Sequence, residues 1–183
     1  SGGVYTISST TTKLTGSSSF TGNNRAVVND LITITGATNN TNNKTFTVKS
    51  VVSETSFTVH EQTATESAGA SVTLDHTGFV TEKAKGDGYY SQQDGVHTVT
   101  YRMVNVGDST DDFEGICIMQ GSLATTPTEE DWFDIEDAKV TSDKSTTTVS
   151  KNFTGNFVWV RAKVTTTNID GNRSMINSIL LNS

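Results

Sequence analysis

Cysteine and proline are nearly missing from this 183-residue chain, which has one of each. A lone Cys117 excludes an intrachain disulfide. It sits among apolar residues in FEGICIMQ and reads as a small buried hydrophobe. A nucleophilic thiol needs a histidine-type partner and an electropositive setting, whereas Asp112 and Glu114 make this neighbourhood acidic. Small extracellular proteins often rely on disulfides, so their absence favours synthesis and folding inside a reducing cell. Basic charge is also short: 13 Lys and Arg stand against 20 Asp and Glu, a net charge of −7. A general nucleic-acid binder needs a basic field to neutralise phosphates, and adhesion to an anionic membrane is disfavoured for the same reason. No apolar run nears the roughly 20 residues that span a bilayer. The opening SGGVYTISS lacks the charged and apolar regions of a signal peptide, although a processed signal could precede it.

Hydrophobic residues make up only 33 % of the chain and mean hydropathy is −0.35, yet the polar excess is not that of a disordered chain. Thr is about one residue in six. It is β-branched and fits a pleated, half-exposed surface. The composition predicts an all-β protein with polar turns.

Two regions differ in strand pattern. Residues 1–80 carry short alternating strands: VYTISS, then RAVVNDLITITG, then FTVKSVV and SFTVHE as a close pair, and a last strand from Ser71 to Leu74. Phe46 and Val48 should share a face, as should Phe57 and Val59. The spacing predicts a small β-barrel or β-sandwich module. TEKAKGDG, residues 81–88, is charged, contains glycines and shows no strand period, so it is expected as a linker. Residues 89–183 have longer strands and predict an antiparallel β-sandwich. In GVHTVTYRMVNV, Val99, Tyr101 and Met103 alternate with Thr98, Thr100 and Arg102; FEGICIMQGS has the continuous apolar character of a central strand. DWFDI is expected as a short strand, KSTTTVSKNF and SMINSILLN as further strands, and NIDGN as a hairpin turn. Helix is limited to one turn in TPTEEDWF, with Thr128 as its cap and Glu129, Glu130 and Asp131 in its first turn.

The most informative strand is NFTGNFVWVRAKV, residues 152–164. Val158, Val160, Ala162 and Val164 form an aliphatic face that suits a core. Phe157, Trp159, Arg161 and Lys163 form the opposite, aromatic and basic face. The aromatic pair could pack under a loop such as EEDWF or meet a neighbouring subunit, and the basic pair suits an acidic partner. Trp132 and Trp159, with Phe133, Phe157, Tyr89 and Tyr90, could form a sugar-stacking platform, fill a sandwich core or make an interface. The candidate contact residues are therefore Phe157, Trp159, Arg161, Lys163, Trp132 and Phe133.

Catalytic signatures are weak. His60, His76 and His97 lack zinc-motif spacing. Neither a G-x-S-x-G elbow nor a phosphate-binding glycine pattern occurs. Asp108, Asp111 and Asp112 in GDSTDDFE offer oxygen ligands for calcium but lack the EF-hand order, and a solvated hairpin loop is the reading favoured over calcium. EEDWFDIED, residues 129–137, presents the same choice. A carboxylate pair for glycoside hydrolysis depends on separation in space. No cofactor or catalytic metal is expected.

Residues 30–74, DLITITGATNNTNNKTFTVKSVVSETSFTVHEQTATESAGASVTL, resemble a small β module of tailed-bacteriophage virion proteins: a strand ending in Gly, an Asn-rich turn, two Phe-Thr-Val strands and a final Val-Thr-Leu. QGSLATTPTEEDWFDI, NFTGNFVWVRAKV and INSILLN are similar to β-sandwich domains of phage structural proteins, especially those of marine contractile-tailed phages. The resemblance implies a non-enzymatic virion component, made in the host bacterial cytoplasm. It would attach to capsid, neck, tail or baseplate through contacts with other virion proteins and with copies of itself. No active site transfers with it. The rival expectations are a carbohydrate-binding or host-adhesion module, with a weak glycan contact at an exposed Trp132 or Trp159, and a polysaccharide depolymerase.

Overall fold

The computed structural model describes residues 4–6, 26–53, 56–66, 72–92, 95–104, 112–166 and 176–182. The protein is all-β and antiparallel, and its described helical residues are confined to 3-10 turns. The chain forms two compact units, Ser1–Phe79 with Ile169–Gly171, and Val80–Asn168 with Asn172–Ser183.

The first unit contains β1 (Val4–Thr6), β2 (Asp30–Thr35), β3 (Thr45–Ser53), β4 (Ser56–Val59) and β5 (Thr73–Val80), in the sheet order β1-β4-β3-β2-β5. Alternation decides its core. Ile32, Ile34, Phe46, Val48, Phe57, Val59 and Leu74 are all buried in one cluster, as period-two spacing requires. Threonine takes the other role. The hydroxyls of Thr33 and Thr45 are 2.8 Å apart on neighbouring strands, and those of Thr33 and Thr77 are 3.0 Å apart. Such cross-strand pairs are how a sheet uses polar side chains. β2 is followed by Gly36, whose φ of 81° opens the Asn-rich turn. Within that turn, Asn42 is buried. Its amide donates to the Ala64 carbonyl and to Glu66, and its oxygen accepts from the Ala64 N–H. His76 lies within β5, 3.2 Å from the buried carboxylate of Asp30.

The second unit contains β6 (Ala84–Lys85), β7 (Val96–Met103), β8 (Glu114–Ser122), β9 (Phe133–Asp143), β10 (Thr148–Thr154), β11 (Trp159–Thr166) and β12 (Ile176–Asn182). β6, β11, β8 and β9 lie side by side in that order, and β10, β7 and β12 make a second sheet. Val99, Tyr101 and Met103 of β7 are buried, together with Cys117 and Met119 of β8 and Val160, Ala162 and Val164 of β11. The Tyr101 hydroxyl donates to the Ala138 carbonyl at 2.7 Å, joining β7 to β9 across the sandwich. Burial raises the Tyr101 pKa.

Three expectations change. Residues 81–88 are not a free linker. The Thr81 N–H donates to the Ala162 carbonyl, the Gly86 N–H to Val158 and the Gly88 N–H to Phe157, with β6 between them. Charge and glycine suit an exposed edge segment as well as a linker, and two paired residues are too few to show a period. DWFDI is not a separate short strand: its last three residues, Phe133–Ile135, begin an eleven-residue strand, β9. The register shift between Cys117 and Met119 breaks the alternation that would have revealed it. Val158 is half-buried because it sits in a bend just before β11, whereas Val160, Ala162 and Val164 are buried as expected. The proposed turn in TPTEEDWF is a 3-10 turn, Glu129–Asp131, whose Asp131 carboxylate accepts from both the N–H and the hydroxyl of Thr128. The NIDGN hairpin lies outside the described residues.

Candidate functional site

The aromatic and basic residues of 157–163 divide into three environments. Phe157 belongs to the core. It is 7 % exposed and packs its ring against Phe133, Phe153 and His97, with centroids 5.9, 6.2 and 6.1 Å away. Two glycines make the room. A Cβ on Gly121 would lie 2.5 Å from the Phe157 ring, and one on Gly155 only 2.1 Å from it. The expectation that Phe157 is a surface contact is therefore corrected. Phe133 borders this cluster and stays partly exposed.

Arg161 is likewise turned inward. It is 8 % exposed; its Nη1 and Nη2 donate to the two Glu129 carboxylate oxygens at 3.0 and 2.6 Å, and its Nε donates to the Gln120 side-chain carbonyl at 2.9 Å. The Trp132 ring covers the guanidinium at 4.2 Å, and the Gln120 amide donates onward to Asp134. A planar fork meeting a carboxylate two-pronged and stacked on an indole is the arrangement guanidinium favours. The acidic partner expected for Arg161 is thus the chain's own EEDWF turn. Trp132 is half-buried by this contact, and Lys163 is half-buried on β11.

Trp159 remains at the surface, half-buried, and organises a patch. Its indole N–H donates to the Thr125 carbonyl at 3.0 Å. Tyr89 meets it edge-on at 5.0 Å and Tyr90 meets Tyr89 edge-on at 5.2 Å. The Lys83 ammonium lies 4.4 Å from the Trp159 ring centre, and that of Lys85 lies 4.1 Å from Tyr89 and 5.6 Å from Tyr90. Tyr89 is 42 % exposed and Tyr90 58 % exposed. No described carboxylate pairs with Lys83 or Lys85.

The two tyrosines are rigidly mounted. They end a 3-10 turn, Asp87–Tyr90. Gly86 and Gly88 tie that turn to the backbone of 157–158, and a Cβ on Gly86 would fall 2.4 Å from the Phe157 carbonyl oxygen. The Asp87 carboxylate accepts from the Gly95 N–H at 2.9 Å and faces His97 Nε2 at 3.6 Å. His97 Nε2 also lies 3.2 Å from the Gly155 carbonyl oxygen, and its ring stacks on Phe153. The Asp87–Tyr90 turn is thus tied to the segments around Gly95 and Phe157 by hydrogen bonds. Sequence reading grouped Tyr89 and Tyr90 with the tryptophans but missed Lys83 and Lys85. The spacing Lys-Ala-Lys, which puts both ammoniums on one side of a strand, was the available signal.

Reactive groups lie elsewhere. Cys117 is fully buried, and burial pushes its pKa up to about 12. His60 is exposed at the end of β4. Asp112 is buried rather than solvated, and Asp108 and Asp111 lie outside the described residues. Among the described residues, no group of three or more His, Cys, Asp or Glu side chains converges as a metal site, and no helix is long and apolar enough to cross a membrane.

No protein-family model, curated protein or solved structure matches the chain.

Proposed function

We propose that this chain is a non-enzymatic structural component that works through protein–protein contacts, with the Trp159, Tyr89 and Tyr90 patch as its contact surface. The observation that carries this reading is the patch itself: two exposed tyrosine rings beside Trp159, on a turn held by backbone hydrogen bonds and glycine contacts, with Lys83 and Lys85 against them and in no salt bridge among the described residues. Interfaces draw much of their energy from a few aromatic side chains, Trp and Tyr prominent among them, held ready in place. The setting we propose, a tailed-phage virion, rests on the sequence resemblance of residues 30–74 and of the 152–164 strand. Other virion proteins and copies of this chain would then be its partners, and assembly in the host cytoplasm accords with a chain that has one cysteine.

The patch geometry weighs against the carbohydrate reading. A sugar face stacks on a flat, open ring. Here the rings meet at 62° and 75°, and ammonium groups lie over Trp159 and Tyr89. The test is Trp159→Ala and Tyr90→Ala, read by incorporation into particles and by thermal melting of the isolated protein. Reduced incorporation with a normal melt supports the contact surface. Normal incorporation by both variants overturns it.

A further inference from the structure

The strands β6, β11, β8 and β9 of the second unit present opposite charge along their two sides. On the β6 side, Lys83 and Lys85 are exposed beside Tyr89 and Tyr90. On the β9 side, Asp134, Glu136 and Asp137 are exposed. Asp134 accepts from Gln120 and Glu136 pairs with Lys139, whereas Asp137 makes no described salt bridge. β9 is an outer strand of this set, so its far backbone edge has no described strand partner. In a chain of net charge −7, Lys83 and Lys85 are two exposed cations in no salt bridge with a described carboxylate. The acidic surface that complements them is on the chain itself.

We propose that copies of this protein associate head to tail, with the Lys83, Lys85, Tyr89 and Tyr90 surface of one copy receiving the acidic β9 side of the next. This rests on the reading of the patch as a protein contact surface and names its occupant: a second copy. Because the two surfaces lie on opposite sides of the strand set and differ in sequence, the contact is heterologous. Repetition of such a contact closes into a ring or continues as a filament. The long-range attraction is screened by salt, so assembly is strongest at low ionic strength. The tyrosines supply the apolar contact that exposed ion pairs lack.

The experiment is sedimentation velocity of the full chain over a range of concentrations, at low and high salt, on charge-reversed variants. One variant is Lys83→Glu with Lys85→Glu; the other is Glu136→Lys with Asp137→Lys. All four side chains are exposed, and Asp134 is left intact to hold Gln120. The wild type is expected to form oligomers that dissociate as salt is raised. Each variant by itself faces like charge with like charge, and its self-association is expected to fall about tenfold or more. Mixing the two variants restores opposite charges at every contact and returns the oligomers, a rescue that a merely structural defect would not produce. A wild type that stays monomeric at all concentrations overturns the proposal, as does a mixture without rescue. If the wild type is monomeric while Trp159→Ala still lowers incorporation into particles, head-to-tail pairing falls and the patch stands as a contact for a different protein.

Discussion

Arg161 shows how little a residue's type says about its role. In sequence it is a strand cation on the face opposite the aliphatic stripe. In the fold it is enclosed by Glu129, Gln120 and Trp132, with three charge-assisted or polar bonds and a stacked ring. Lysine keeps the charge but cannot make the two-pronged contact or the planar stack. Arg161→Lys is therefore expected to lower stability by about 1–3 kcal/mol, measured by urea unfolding, while leaving the Tyr89 and Tyr90 surface in place. A variant as stable as the wild type would show that the clamp contributes nothing net. Cys117 carries a second residue-scale expectation. An ordinary thiol has a pKa of about 8.5, and burial holds this one at about 12. The folded state therefore keeps its proton where the unfolded state has lost it. Above about pH 8.5 the unfolded chain binds fewer protons than the native one, so stability falls with rising pH until about pH 12. Tyr101, raised by the same cause, adds to the slope above its own unfolded value of about 10. Cys117→Ala should flatten the decline between about pH 9 and 10, as read by denaturant unfolding at each pH. An unchanged slope would rule out the thiol as its source.

At the scale of elements, β11 is the clearest case of pattern becoming structure. Its aliphatic residues Val160, Ala162 and Val164 are buried, and the strand pairs with β8 from Trp159↔Ser122 to Thr166↔Gly115. Val160→Asp would bury a charge with no partner and is expected to cost roughly 3 kcal/mol or more; unchanged thermal stability would show the register to be wrong. The threonines are legible in the same way. They alternate outward, and in β7 and β10 the hydroxyls of Thr100 and Ser150 meet at 2.8 Å. The missed elements have a common cause. β6 is two residues long, and β9 shifts register within its own strand between Ile135 and Val140. Neither displays a sustained period of two, the strand signal used for most of the chain.

For the molecule as a whole, both tryptophans, Trp132 and Trp159, fall in the second unit, so tryptophan fluorescence reads that unit by itself. The acid side of the stability curve has contributors in both units. Hydrogen bonds from Asn42 and the Thr38 backbone hold the Glu66 carboxyl below its ordinary value in the first. In the second, bonds from Thr128 do this for Asp131, and bonds from Ser145 for Asp143. Folded pKa values depressed in this way stabilise the protein above the unfolded carboxylate range, and the benefit is lost as pH falls through the folded values. Acidification is therefore expected to weaken the far-UV β signal as well as the tryptophan signal. A far-UV spectrum that holds its full β signal below about pH 3 would count against these bonds.

What the sequence determined by itself follows from short-range rules. Alternation and β-branching made the protein all-β, placed most of its strands and identified most of their buried faces, because the side of a sheet that a residue occupies depends only on its position along the strand. Tertiary structure decided what those rules do not reach. It turned Phe157 into the core through space left by Gly121 and Gly155. It assigned Arg161 an internal carboxylate from a turn 32 residues earlier. It also folded Lys83, Lys85, Tyr89 and Tyr90 back beside Trp159, which follows them by about seventy positions. Surfaces of this kind depend on which distant segments meet, and that is set by the packing of the sheets rather than by any local pattern.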